Sequence, residues 1–193
     1  MPRSEPLNSN AQRGFTLIES LTVIAILVII GALAAPNLRT FVVRNKVSSM
    51  SNELTAALTQ ARALSVAKNS CVSLCVASAS NSTTCADTSA IKDYQTNGWM
   101  LFQNPQCDAT VTAAGTAPNR VLQQRTGESN GYSLKPTNAA WNIVMFDPRG
   151  YANLTAAGSF EIIPPGTLDT SYKRKVCLDA AGRPTVRSFS STC

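Results

Sequence analysis

The sequence predicts an α+β chain in which a long N-terminal helix, membrane-spanning in its first half, packs on a C-terminal antiparallel β-domain. Three observations predict it. Residues 15–35 form a nearly unbroken apolar run, the residues that follow carry apolar positions at helical spacing, and beyond residue 70 short β-branched and aromatic runs alternate with turn residues. A length of 193 residues with 44% hydrophobic and 15% charged content suits one packed domain with an appendage and excludes a disordered chain. Seventeen Lys+Arg against eleven Asp+Glu give a formal charge of +6, compatible with an anionic partner but far below the density of a dedicated nucleic-acid arm. The sequence holds no histidine. That excludes Ser-His-Asp and Cys-His nucleophile pairs, the commonest general base and most catalytic zinc sites, which weighs against an enzyme; no catalytic residue, cofactor or metal is expected.

The first element is the apolar run. Phe15 to Ala35 comprises 21 residues with one charge, Glu19. At about 1.5 Å per residue it spans roughly 30 Å, the thickness of a bilayer core. Before it stands a polar leader, Met1 to Gly14, with Arg13 beside the run; by the positive-inside rule this holds the N-terminus in the cytoplasm and places the rest of the chain across the membrane. A secretory signal peptide is the competing reading, since Ala32-Leu33-Ala34 offers a small-x-small cleavage site that would release a soluble β-protein starting at Ala35. Against it, the run exceeds the roughly 7 to 15 residues of a signal core, and a carboxylate sits near its start. A lone acid in a membrane segment costs up to a few kcal/mol and calls for a cation, and no Lys or Arg lies in the run to supply one.

The residues Arg13-Gly14-Phe15-Thr16-Leu17-Ile18-Glu19 closely resemble the signal of type IV prepilins and type II secretion pseudopilins. The resemblance implies the type IV pilin fold, cleavage by a prepilin peptidase between Gly14 and Phe15, and methylation of the new amine on Phe15. It also implies that Glu19 pairs with the terminal amine of a neighbouring subunit during assembly. Such a pair at about 4 Å gains far more in a low-dielectric surround than in water, so the carboxylate favours joining a filament over remaining alone.

Pro36 interrupts the apolar helix and removes one backbone donor, so a kink is expected there. Val47, Met50, Leu54, Ala57, Ala61 and Leu64 then recur at spacings of 3 and 4 as one stripe, with Arg44, Lys46, Asn52, Glu53, Gln60, Arg62 and Lys68 on other faces. A helix from Phe15 to about Lys68 would be roughly 80 Å long. Beyond it, strands are expected near residues 71–77, 98–103, 120–125, 132–135, 142–146, 159–163, 175–179 and 185–189. Asp147-Pro148-Arg149-Gly150 and Ala180-Ala181-Gly182-Arg183-Pro184 read as turns. The expected organisation is a leader at 1–14, a transmembrane and assembly helix at 15–35, its amphipathic half at 36–68, and a disulfide-bonded β-rich domain at 69–193.

The arrangement is similar to minor pilins of the GspH/FimT (FimU-like) group. The features that carry this are Cys71-Val-Ser-Leu-Cys75, Asn97-Gly98-Trp99-Met100-Leu101-Phe102, Phe146-Asp147-Pro148-Arg149-Gly150, and a closing hairpin with Cys177, Ala181-Gly182-Arg183 and Cys193; residues 104–119 match no feature of the group. The resemblance implies a structural subunit that initiates or caps a type IV pilus at its tip. Its implied partners are other minor pilins, the major pilin, the prepilin peptidase and the inner-membrane assembly platform. Its implied location is the inner membrane, single-pass with a periplasmic C-terminal domain, and then the pilus. Two alternatives stay open: a type II secretion minor pseudopilin, and a DNA-binding minor pilin serving natural transformation.

Six cysteines, Cys71, Cys75, Cys85, Cys107, Cys177 and Cys193, all follow the membrane run, which favours disulfides over free thiols. Six thiols allow fifteen connectivities and spacing does not choose among them. The family resemblance suggests Cys177 with Cys193; Cys75 with Cys85 and Cys71 with Cys107 is a guess for the remainder. For the DNA-binding alternative the candidates are Lys173, Arg174, Lys175, Arg183 and Arg187, five cations read as sharing an edge near the chain end. Some FimT-like pilins that bind DNA carry a C-terminal Gly-Arg-x-Arg; here Gly182-Arg183 is followed by its second arginine, Arg187, two places later. A solvated charged edge that keeps an exposed strand from aggregating explains the same residues.

Overall fold

The computed structural model describes residues 14–154 and 158–193, without the side chains of residues 34–37. The leader residues 1–13 and the Pro36 ring therefore lie outside the described residues. The chain divides into two compact units, Met1–Val42 and Val43–Cys193, and one helical element, α1 (Leu17–Lys68), runs through both.

In the first unit α1 starts at Leu17, two residues later than the apolar run itself. Every large apolar side chain described from Phe15 to Val42 is more than half exposed, from 51% at Val23 to 84% at Phe15. They surround the helix instead of lining one side, the pattern of a helix meant for lipid or for the interior of an assembly. Among the described residues no single helix is long and apolar enough to cross a membrane; Leu17–Leu33 and Leu38–Lys68, which meet at a bend, pass that test together by length and composition.

In the second unit α1 is amphipathic. Val43, Val47, Met50, Leu54, Ala57, Leu58 and Ala61 are buried, and their spacing of three and four residues keeps them on one face of a 3.6-residue helix. Leu64, read as the end of that stripe, is only partly buried against the core. Two buried serines share the face without orphaned groups: Ser51 Oγ donates to Val47 O (2.8 Å) and Ser65 Oγ to Arg62 O (2.8 Å).

Among the described residues eight strands follow: β1 (Val72–Val76), β2 (Gly98–Gln103), β3 (Arg120–Thr126), β4 (Ser133–Pro136), β5 (Ile143–Phe146), β6 (Gly158–Ile163), β7 (Arg174–Leu178) and β8 (Pro184–Ser188). They form two antiparallel four-stranded sheets, ordered β3-β2-β1-β5 and β4-β6-β7-β8. A one-turn helix, α2 (Tyr94–Asn97), precedes β2 and is capped by Asp93, whose carboxylate accepts the Gln95 and Thr96 amides. The α1 stripe meets one face of both sheets in a single cluster that includes Val72, Leu74, Val76, Trp99, Leu101, Val144, Phe146, Phe160, Ile162, Val176 and Leu178. Strand alternation sends the neighbouring residues to the opposite face.

On the β3-β2-β1-β5 sheet that opposite face is buried too. Cys75, Met100, Phe102 and Ile143 pack there with Ala77, Cys85 and Ala114. The cover comes from residues 77–90 and from 104–119, and two disulfides clamp it: Cys75 with Cys85 and Cys71 with Cys107. Asn104 is fully buried under this cover; its Nδ2 donates to Ser73 Oγ (3.2 Å) and Asp108 O (2.7 Å), and its amide to Cys71 O (2.8 Å). Asn142 plays the matching part for the other loop, donating to Asp87 O (2.6 Å) and Ala90 O (2.7 Å). Both asparagines thus pair loop backbone that would otherwise lie unbonded against the sheet.

Two turns of the form Asp-x-x-Gly meet beside α1. Asp147 accepts the Arg149 and Tyr151 amides, and Asp179 accepts the Arg183 amide, each at 2.9 Å. The turns touch: a Cβ added to Gly182 (φ +74°) would fall 2.5 Å from Gly150 O and against the Phe146 ring. Only glycine meets both the left-handed backbone and this approach. Arg62 Nε of α1 donates to the same Gly150 oxygen (3.1 Å), which ties the helix to the turn pair.

The Cys71–Cys107 bond closes a loop with a sequence separation of 36, and chain entropy for a loop of that length amounts to about 4 kcal/mol. Replacing both cysteines by Ala should remove roughly that much stability in urea unfolding, and limited proteolysis should cut first within residues 104–119.

Candidate functional site

The start of α1 is built around Thr16. Its Oγ1 accepts the Glu19 amide (3.3 Å), and its carbonyl accepts the Ser20 amide (3.2 Å). Thr16-Leu17-Ile18-Glu19 therefore reads as a Ser/Thr-x-x-Glu capping arrangement, with Glu19 in the first turn, where a negative charge meets the positive end of the helix dipole. The sequence signal for this cap is the Thr-x-x-Glu spacing of Thr16 and Glu19. Thr22 Oγ1 donates to Glu19 O (2.8 Å), so the hydroxyl beside the acid is satisfied within the helix. Gly14 and Phe15 precede the helix and are exposed, and a Cβ on Gly14 would meet nothing within 4 Å. Glu19 has no cation partner within 4 Å among the described residues.

The third disulfide joins Cys177 of β7 to Cys193, so the tail after β8 folds back onto the sheet. All six cysteines are thereby bonded. Among the described residues no group of three or more Cys, Asp or Glu side chains forms a metal site.

The five C-terminal cations do not share one edge. Lys175 and Arg187 are cross-strand partners in the β7/β8 register, and the Nζ groups of Lys173 and Lys175 lie 5.2 and 5.9 Å from the Phe189 ring centroid, over the outer face. Arg187 donates to Thr192 O (3.1 Å). Arg174 instead alternates onto the face of Val176 and Leu178, the side of the core. Arg183 sits at the far end of the hairpin, with its Nε 3.0 Å from Asp179 Oδ2. The hydrogen bond from the Arg183 amide, aided by its guanidinium, holds the Asp179 carboxyl below the ordinary aspartate range.

A long N-terminal helix with an apolar, outward-facing first part and an antiparallel β-domain on its second part defines the class of pilin-like subunits. The chain belongs to the family described as Type II transport protein GspH, which matches residues 50–182. Residues 9–35 match the Prokaryotic N-terminal methylation motif. Among solved structures the chain is similar to the type IV minor pilin FimU of Pseudomonas aeruginosa PAO1 in two crystal forms. For the P21 form the identity is 22%, the match covers 78% of this chain and 95% of that one, and the TM-score is 0.54. For the P65 form the values are 22%, 75%, 94% and 0.51. The fold is that of type IV pilins, and family and fold are those of structural pilins, not enzymes. The methylation motif and the apolar N-terminal helix fit anchoring in the inner membrane, and the family suggests interaction with other pilins and the prepilin peptidase.

Because the Asp179 pKa is lowered in the folded state, the turn is stabilised at pH values above the ordinary aspartate pKa of about 3.9 and loses this contribution as pH falls through the lowered value. The amide resonance of Arg183 should hold its position down to the ordinary range and move only below it, and Asp179→Asn should abolish that acid step.

Proposed function

We propose that this chain is a minor pilin, made as a prepilin, cut between Gly14 and Phe15 and methylated on Phe15, which initiates or caps a type IV pilus at its tip. The observation that carries the reading is the first part of α1: apolar on all sides, more than half exposed at every large side chain, and bearing a single acid, Glu19, in its first turn beside the methylation motif. A helix of this kind finds no apolar partner among the described residues of its own unit and is satisfied by lipid or by the same helices of other subunits. In the filament, Glu19 pairs with a neighbour's terminal amine, the helices bundle through residues 15–35 with Pro36 setting the bend, and the β-domain is left to present a distinct surface. Partners on this reading are other minor pilins, the major pilin and the inner-membrane assembly platform, with the β-domain in the periplasm before assembly.

The family description favours a second reading, a minor pseudopilin of a type II secretion system. Both share processing and bundling; they differ in whether deletion of the gene abolishes piliation or protein secretion. A DNA-binding role would rest on Lys173, Lys175 and Arg187 around Phe189, since Arg174 and Arg183 lie elsewhere.

Mass spectrometry of the chain isolated from its native membrane should show Phe15 at the N-terminus with one added methyl group; a chain starting at Ala35 would overturn the reading. Glu19→Ala should be processed normally yet enter sheared pili at least about tenfold less than the parent, the loss that about 1.4 kcal/mol per assembly contact brings.

A further inference from the structure

Among the described residues five arginines of the second unit have no ion-paired carboxylate, Arg44, Arg62, Arg120, Arg174 and Arg187, and two of them, Arg44 and Arg174, face one cavity. Arg44 of α1 and Arg174 of β7 line a pocket of about 220 Å³ together with Asn45, Ser48, Ser171 and Tyr172. Among the described residues neither arginine forms an ion pair within 4 Å, whereas Arg125, Arg149 and Arg183 each do. Both guanidinium groups are nonetheless held in place. The Arg44 guanidinium carbon lies 5.1 Å from the centroid of the Tyr172 ring, a cation–π stack that fixes its plane. Arg174 Nη1 donates to Ser171 O and Lys173 O, both at 3.0 Å, which anchors one nitrogen and leaves the rest of the fork uncommitted. The carboxylate in the adjoining turn, Asp169, is engaged in accepting the Ser171 amide (2.8 Å) and does not line the cavity.

We infer that this pocket is an oxyanion site for a phosphoryl group. Two positive charges brought to one cavity without a counter-charge favour an anion there. The donor set selects its kind. A carboxylate has two oxygens, and a single arginine fork satisfies both. A phosphoryl group carries oxygens enough to engage guanidinium groups from two different elements, with the Ser48 hydroxyl of α1 beside them. The same chemistry comes from a soluble phosphate or from an anionic lipid headgroup. The sequence position suits the latter as well, because Arg39, Arg44 and Lys46 all follow shortly after the apolar run ends at Ala35. This inference does not depend on whether the chain serves a pilus or a secretion system.

The test uses the full chain in maltoside micelles, which carry no phosphoryl group, with arginine Nε resonances and calorimetry as readouts. Inorganic phosphate should bind saturably and shift the Arg44 and Arg174 signals; R44Q/R174Q should weaken binding at least tenfold, and R120Q, on the opposite sheet, should leave it within twofold. Circular dichroism and intact disulfides establish that each variant is folded, and the single variants R44Q and R174Q serve if the double one is not. The same shifts in nanodiscs containing phosphatidylglycerol, with no phosphate added, would support the site and assign it to lipid. Shifts with inorganic phosphate alone would support it as a site for a soluble ligand. The inference is overturned if neither source shifts the two arginines, if R120Q weakens binding as much as R44Q/R174Q, or if poly-glutamate binds there and phosphate does not.

Discussion

An apolar helix segment with no apolar partner among the described residues of its own unit is the constraint from which the remaining features follow. Its large side chains from Phe15 to Val42 are more than half exposed, and about 25 cal/mol per Å² of such surface left in water would outweigh the stability of most single domains. The segment therefore belongs in lipid or among other helices. Glu19 is tolerable there for two separate physical reasons: within the helix it lies at the positive end of the dipole, next to the Thr16 cap, and on the reading proposed above it gains a positive charge from a neighbour. The first reason acts in every state of the protein. The second acts only in the assembly.

Farther along the same helix the opposite logic holds. From Val43 the apolar side chains collect on one face and the two sheets cover them, so the second unit contains its own core. Two of the motifs that carried the family resemblance, Phe146–Gly150 and Ala181-Gly182-Arg183, are parts of one junction: Phe146, Gly150 and Gly182 come together, and Arg62 reaches them from the helix. Their spacing in the sequence is wide, yet they are shaped by a shared steric demand.

The helix and the eight strands were legible to within a residue or two because their evidence is local, in apolar periodicity of 3.6 or 2 and in turns rich in Gly, Pro and Asp. The division into two sheets was not, since strand order depends on pairings between distant residues such as Leu74 with Val144 that no local pattern encodes. Residues 104–119, polar and small, carry no periodicity at all. Their place over the sheet follows from a buried asparagine and a disulfide, and fifteen pairings were open. Arg174 and Arg183 were grouped with their neighbours by proximity in sequence, but strand alternation turns the first toward the core and the Asp179 turn captures the second. The arginine pocket has no local signature, because Arg44 and Arg174 lie on elements far apart along the chain.

The β3-β2-β1-β5 sheet separates two hydrophobic clusters that share no side chain. Substitutions in one are thus expected to add independently to those in the other. A lineage of such proteins is free to rebuild the outer layer, lengthening or recolouring the loops over Met100 and Phe102, while the helix-facing layer stays as it is; novelty in what the exterior recognises then carries no penalty for how the subunit seats itself among its neighbours.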